Sequence, residues 1–571
     1  MTSRVALRLV VIAAVLAVPT AGFAQEAVVT GNVSDTTGGV LPGVTITAVH
    51  EATGNTFVAV TDERGAYRVP ARVGGYRLTA ELPGFTTVTR TGISLLVGQT
   101  ATVDLQMSLT GVAETVTVTS EAPLINTTQS SIGGNIDPRQ MQELPVQGRE
   151  WMSLALLAPG NRTNAIGETP VQDRGDVREF QMNMDGQQVT SQLGPGGQPR
   201  FSRDQIAEFQ FISNRFDATQ GRSSGVQVNA ITRSGTNEFA GTFGSYFRDS
   251  DWGSADHVLG RKVPFSEQQY SFGIGGPILR DRFHFFANYE YDRSPRSSTA
   301  NTGFPSLDVS LSGIQTSKLG AARLDYQITS GHRLMVKGDM ARFYRPFADL
   351  TTDPWTGAFT HHQKTTNLVL QLTSVLSNRT LNEVRFGPAS YRFQEDNYTT
   401  WSRHPRASEG ITNGHPRIQL TGFNVAGNTQ IPRYQGQDAW LLRDDFTFSY
   451  AGLGRHDLKV GGEFLLNKIV SFNCQTCMSQ IDARGGPLPA NFASLIPDVW
   501  NADTWNLNAL APITRSVILG IGRFRLDLRN PKWAGWIQDD WTVSDRLTLN
   551  LGLRYDLSGT PPRRTRCTSR G

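Results

Sequence analysis

Three short stretches of the chain carry residue types that could do chemistry, and each lacks the surroundings its chemistry needs. Gly221-Arg222-Ser223-Ser224-Gly225 has the spacing of a hydrolase nucleophile elbow. That elbow needs a strand before the serine and a helix after it. Here Val226, Val228 and Ala230 continue in the two-residue period of a strand, so the match is read as chance. Cys474 and Cys477 form a Cys-x-x-Cys, and the third cysteine is Cys567. A redox pair of this kind sits at a helix start, and a zinc site needs a second pair. His361-His362 could offer two imidazoles, but adjacent strand residues point to opposite faces. A solvated loop end is the expectation there. None of the nine histidines begins a His-x-x-Glu pair, and no His-Glu-x-x-His or Gly-x-x-x-x-Gly-Lys string occurs. No catalytic, cofactor-binding or metal-binding residue is expected, and the chain reads as a non-enzyme.

Charge excludes another class. The chain has 54 Lys and Arg against 50 Asp and Glu. Two of these bases, Arg4 and Arg8, lie near the start, and four, Arg563, Arg564, Arg566 and Arg570, lie near the end. The remainder has 54 − 6 = 48 bases and 50 acids, a balance of −2, so no basic patch points to nucleic acid.

The elements that position the rest begin with an export signal. Arg4 and Arg8 precede the apolar stretch Leu9 to Val18, and Gly22-Phe23-Ala24 offers the small residues a signal peptidase reads. Ten apolar residues are too few to span a bilayer, which takes about 20. Residues 1–24 are read as a signal peptide, cut between Ala24 and Gln25. No other stretch is long and apolar enough for a membrane helix. At 571 residues the size prior allows three or four domains. The 57 glycines, with Thr, Ser, Asn and aromatics, favour strands and turns throughout.

Residues 25–108 alternate in the strand period, with turn signals at Gly38-Gly39, Gly65, Gly74-Gly75 and Pro83-Gly84. This is the spacing of a small β-sandwich. The string GNVSDTTGGVLPGVTITAVHEATGNTFVAVTDERGAYRVPARVGGYRLTAELPGF resembles the carboxypeptidase regulatory-like domain, a transthyretin-like sandwich. Without a zinc-ligand pair, the resemblance implies an appendage and not a peptidase.

Residues 109–123 form a linker, LTGVAETVTVTSEAP. Within it Glu114, Thr115, Val116, Thr117 and Val118 make an extended, β-branched run. Such a segment binds by adding itself to the edge of a partner sheet. A plain linker or a first strand of the next module is the alternative.

Residues 124–236 follow as an α+β module. LPVQGREWMSLALLAPG is an amphipathic run, FQMNMDGQQVT is a strand broken by the turn Asp185-Gly186, and VNAITRSGTNEFAGT closes the series. In this order the strings resemble the plug of TonB-dependent outer-membrane transporters, in the subgroup with a regulatory-like domain before the plug. Where that subgroup has EFGRSSG, this chain has ATQGRSSG, a small departure. The resemblance implies that Glu114–Val118 is the TonB box. It implies TonB and its proton-driven inner-membrane complex as partners, with an unknown extracellular ligand. The N-terminal domain then lies in the periplasm and the rest in the outer membrane.

Residues 237–558 show about eleven segments of alternating hydrophobicity. In one, Phe283, Phe285, Ala287, Tyr289 and Tyr291 alternate with His284, Asn288, Glu290 and Asp292. In a membrane barrel the apolar set faces outer-membrane lipid and the polar set faces the lumen. Trp533, Trp536 and Trp541 suit the interfacial girdle. Strands of about ten residues, a charged inward face, and long polar loops at 344–365, 393–436 and 467–530 separate this from a soluble sandwich. In such a loop Cys474 and Cys477 are read as a local disulfide.

The resemblance implies a 22-stranded barrel, of which about half is present. The tail 559–571, ending RRTRCTSRG, continues no strand pattern, and the chain is read as shortened. The expected fold is mainly β: a small sandwich, an α+β plug and the first half of an antiparallel transmembrane β-barrel. The expected function is TonB-dependent uptake of a large or scarce ligand; the alternative is a structural or adhesive envelope protein.

Overall fold

The computed structural model describes residues 27–110, 116–119, 132–146, 149–157, 180–190, 199–214, 217–221, 226–255, 262, 265–348, 357–377, 379–404, 406–425, 430–474, 476–544 and 547–559. The signal peptide and its cleavage pair Ala24 and Gln25, the first two box residues, the serine of the Gly-x-Ser-x-Gly string and the Arg-rich tail lie outside them.

Eight strands build the N-terminal sandwich: β1 (Ala27–Asp35), β2 (Thr45–His50), β3 (Thr56–Val60), β4 (Ala66–Ala71), β5 (Gly74–Glu81), β6 (Val88–Leu95), β7 (Thr100–Thr102) and β8 (Leu105–Met107). One sheet runs β4-β1-β7 with β8 also on β1; the other runs β3-β2-β5-β6. Their alternate residues meet in one core, in which Val29, Val33, Ile46, Leu78 and Ile93 are almost completely buried. A ninth strand, β9 (Val116–Thr119), extends the second sheet by lying parallel to β6.

The plug holds β10 (Ile132–Ile136), β11 (Phe180–Met184), β12 (Gln187–Gln188), β13 (Ile206–Asn214) and β14 (Val226–Thr232), ordered β10-β13-β14-β11-β12. A short helix, Pro138–Glu143, follows β10. Its start is set by a capping box: Asp137 accepts from Gln140 N–H at 2.8 Å while the Gln140 side chain accepts from Asp137 N–H at 3.1 Å. The amphipathic run settles as a 3-10 turn, Trp151–Leu157, and Trp151 packs edge-on against Phe209.

Eleven long strands form the third body: β15 (Ala240–Asp249), β16 (Ser266–Leu279), β17 (Phe283–Ala300), β18 (Val309–Thr329), β19 (His332–Arg345), β20 (Phe359–Ser377), β21 (Thr380–Asn397), then β24 (Arg433–Ala451), β25 (Arg455–Asn473), β28 (Arg525–Ser544) and β29 (Leu547–Ser558). They pair antiparallel in chain order, so the sheet is open, with β15 and β29 at its edges. Phe243, Phe272, Leu324, Leu368, Phe386, Trp440 and Leu442 are exposed on the convex face; His284, Glu290, Asp325, Lys337, Glu383, Arg385 and Asp445 are buried on the concave one. An apolar outside and a charged inside is the pattern of a barrel wall in lipid. Among the described residues no helix is long and apolar enough to cross a membrane.

Three expectations need correction. The strands run from 10 to 21 residues, not about ten, because the alternation continues in polar residues beyond the apolar band. His361 and His362 lie in β20 and not in a loop; they point to opposite faces, His361 pairing with Glu395 at 3.1 Å. Trp536 faces the lumen, with the Arg443 and Arg554 guanidinium carbons 4.6 and 4.9 Å from its ring, and Trp533 is exposed in mid-strand. Of the three tryptophans, Trp541 alone stands at a strand end.

The long loops carry structure that alternation did not announce. β22 (Arg417–Leu420), β23 (Phe423–Val425), β26 (Gln480–Ala483) and β27 (Ser516–Ile518) form a separate sheet over a core of Ile418, Val425, Phe492, Trp505 and Leu510.

Candidate functional site: a plug latched to the barrel wall

The turn Asp185-Gly186 joins β11 to β12 with φ of 46° and 77°, the left-handed region that Asn, Asp and Gly tolerate best. A side chain at Gly186 would also run into Arg385, whose Nε lies 2.5 Å from the position a Cβ would take. The turn drives the Asp185 carboxylate into the wall. It accepts from the backbone N–H of Thr232 at 3.0 Å, the Thr232 hydroxyl at 2.8 Å, Lys337 Nζ at 2.9 Å and Arg323 Nη1 at 3.1 Å. Lys337 is 1% exposed and Asp185 4%, so the contact is dry. Burial pushes the Asp185 carboxyl up, but Lys337 and Arg323 outweigh it and hold the group below the usual carboxylate range.

Each of these cations also has a carboxylate two residues along its own strand: Arg323 with Asp325 at 2.7 Å and Lys337 with Asp339 at 3.1 Å. The device recurs in Arg385 with Glu383 and Arg443 with Asp445. Residues two apart share a face of a strand, so the inner wall carries ready-made ion pairs. Plug backbone leans on the same wall: Arg443 donates to Thr219 O at 3.0 Å, and the uncharged Gln538 accepts at Oε1 from Ala218 N–H at 2.6 Å. Elsewhere Ser202 donates to Glu290 at 2.7 Å.

The sandwich joins the same assembly. Arg72 lies 3.7 Å from Asp325 and donates to Ser234 at 2.9 Å, Asn55 donates to Asp281 O at 2.8 Å, and Arg68 lies 3.4 Å from Asp457. Against the plug, the Val97 N–H donates to the Glu208 carboxyl, and Asn135 donates to Val97 O at 2.9 Å. Burial pushes Glu208 up to about 8, only partly opposed by that N–H. A cavity of about 460 Å³ lies among the three bodies, lined in part by His50, Arg72, Glu208, Arg323 and Arg333. Burial, with Arg72 nearby, holds His50 down to about 3, so it stays neutral.

Of the sequence-derived site residues, Val116, Thr117 and Val118 lie in β9, in register with Val88, Thr89 and Arg90. Cys474 and Cys477 are joined as a disulfide with Cα atoms 5.1 Å apart, buried in the loop body. The two sites are far apart in the chain and the structure does not join them. The sequence marks Asp185 as a turn residue only, and its latch partners Arg323 and Lys337 carry no signal beyond the repeated cation-x-carboxylate spacing. Among the described residues no group of His, Cys, Asp or Glu is arranged to hold a metal.

A wall with this polarity, a plug seated in it and a small sandwich before the plug define an outer-membrane β-barrel protein. The sequence family described as Outer membrane beta barrel domain matches residues 231–313 and 306–569, and the chain belongs to it. The Carboxypeptidase regulatory-like domain matches residues 28–108. The chain is 25% identical, over a 647-residue alignment, to the TonB-dependent transporter Oar of Myxococcus xanthus, covering 96% of this chain and 59% of that relative. Its fold is similar to the outer membrane transporter YddB of Escherichia coli, with a TM-score of 0.51, 12% identity, and coverage of 75% of this chain and 56% of the other. The siderophore receptor PirA of Pseudomonas aeruginosa gives a TM-score of 0.44 and 13% identity, over 75% of this chain and 56% of that one. The chain thus spans a little over half the length of the relatives it matches, and its place is the outer membrane.

Proposed function

We propose that this chain is the ligand-receiving part of a TonB-dependent transporter, in which the plug blocks the lumen until energy from the inner membrane moves it. The observation that carries this reading is the Asp185 latch. A plug held by dry, charge-assisted bonds is well seated, yet each barrel cation keeps a carboxylate of its own strand when the plug departs. Such a seat can be left without stranding bare charge in the wall. The likeness to Oar supports the same reading.

Glu114–Val118 serves as the TonB box in this proposal. Among the described residues β9 is the last strand of its sheet, a position from which one side of its backbone can take an added strand. The open edges of β15 and β29 would cost several kcal/mol per unpaired backbone group in hydrocarbon, so the working transporter closes its wall with further strands.

The test uses the purified C-terminal domain of TonB as probe. Deleting residues 114–118, or Val116→Pro alone, is expected to weaken its binding to the 571-residue chain at least tenfold. Equal binding by the deletion would show that the box lies elsewhere.

A further inference from the structure

On the convex face of the wall, four basic side chains stand side by side on four adjacent strands. Lys318 of β18 is opposite Arg342 of β19, Arg342 is opposite Lys364 of β20, and Lys364 is opposite Arg392 of β21. Like charges directly opposite each other destabilise a sheet, so an unneutralised row of this kind calls for an anion. Inward partners cannot supply it. The parity that buries Lys337, Arg385 and Asp339 on the lumen side turns these four outward, where Lys318 and Lys364 are exposed.

Their height is set by the residues below. Moving toward the short turns, the same outward positions become Gly320, Met340, Thr366 and Ser390, then Ala322, Gly338, Leu368 and Pro388, then Leu324, Val336, Leu370 and Phe386. Arg342 is 342 − 334 = 8 positions above Leu334. At a rise of about 3.4 Å per residue and a tilt of about 40°, that is roughly 20 Å, near the height of a barrel's apolar band. The row therefore sits where the band ends, on the side of the long loops and opposite the sandwich. Three inter-strand steps make it about 14 Å long.

The row is also held in place. Arg342 Nη1 donates to the carbonyls of Ala341 and Thr365 at 2.9 and 3.0 Å, and Arg392 Nη1 repeats this with Tyr391 and Gln437 at 2.9 and 3.0 Å. Arg392 also grips Asp438 through two bonds of 2.7 and 2.9 Å. That single carboxylate leaves a net charge of about +3 on the row. The four cations line a surface cleft of about 620 Å³ whose rim includes Tyr344 and Tyr434, residues suited to a membrane interface. All four strands lie inside the sheet and away from its open edges, so the cleft is a property of the wall as it stands.

We propose that this cleft binds the phosphate groups of an outer-leaflet lipid, its acyl chains lying along the apolar rows below. Phosphate is the chemistry the cations select, and the position at the end of the apolar band makes a lipid its source.

The test measures binding of fluorescently labelled lipopolysaccharide to the 571-residue chain in neutral detergent, with heat-modifiability as the check on folding. K318Q/K364Q is expected to weaken binding at least tenfold, K318R/K364R to leave it within twofold, and chemically dephosphorylated lipopolysaccharide to bind the unaltered chain at least tenfold more weakly. K364Q alone alters one exposed side chain and tests the proposal if the double variant does not fold; its expected loss is at least threefold. Unchanged binding by a folded Gln variant, or equal binding of the dephosphorylated lipid, overturns the phosphate site. Displacement by 10 mM inorganic phosphate overturns the lipid as its source, and no displacement supports it.

Discussion

Replacing Asp185 by Asn keeps the shape of the plug's turn and removes its charge, which isolates the latch. The carboxylate accepts four hydrogen bonds, two of them from Lys337 and Arg323. Asparagine has one acceptor oxygen, and its amide would face a cation. Removing one partner of a buried pair costs about 3–5 kcal/mol when the other is stranded. Here Lys337 retains Asp339 and Arg323 retains Asp325, so the lower figure applies. About 3 kcal/mol is roughly a hundredfold in the equilibrium for plug opening. Hydrogen exchange of the amides of Phe180–Met184 and Val226–Thr232 reads that equilibrium, and D185N should exchange about a hundredfold faster there than the unaltered chain. D185N/K337M/D339N should recover part of the loss, because it removes the stranded cation together with the Asp339 carboxylate that pairs with it. Exchange within twofold of the unaltered chain would refute the latch as the plug's seat.

Two further outcomes follow from other contacts. Glu208 is raised in the folded chain, so its contribution to sandwich docking is fully present below about pH 4.5 and is lost as pH rises through about 8. Exchange protection at Val97, corrected for intrinsic rates, should fall at least tenfold between pH 6 and pH 9, and E208Q should abolish that fall; a pH-independent unaltered chain would contradict it. Reducing the Cys474–Cys477 disulfide releases a four-residue loop, a loss of about 2 kcal/mol on loop-closure entropy. The loop body around Ile411 and Met478 should then exchange about thirtyfold faster while heat-modifiability of the wall stays unchanged; equal exchange would mean the bond carries no stability.

Much of this architecture was legible because alternation is a local property. Phe283 to Tyr291 declares two faces with no knowledge of its neighbours, and Asp185-Gly186 declares a turn by its backbone preference alone. What a residue meets across the sheet is not local. Trp536 reads as a girdle residue until its parity with Ala534 and Gln538 is known, and then it belongs to the lumen. Lys318, Arg342, Lys364 and Arg392 are scattered over the chain, and only the register of three strand pairs makes them a row. Likewise, Asp185 finds Lys337 across 152 residues. The loop sheet was missed because its strands are three or four residues long, too short for a period to show.

The order of strands also bears on how the molecule comes together. In the wall, every strand between the edge strands β15 and β29 pairs with the strands before and after it in the wall, so each hairpin can form next to the one just made. Most of these contacts close short loops and cost little chain entropy, the long loops between β21 and β24 and between β25 and β28 excepted. The plug is wound differently. Its β11 pairs in parallel with β14, and β10 waits for β13, about 75 residues further on. A slow-forming sheet is thus destined for the interior of a quickly propagating one. The wall can grow strand by strand from a single advancing edge, while the plug's sheet gains its last, charge-locked contacts only when Lys337 and Arg323 are already in place to receive it.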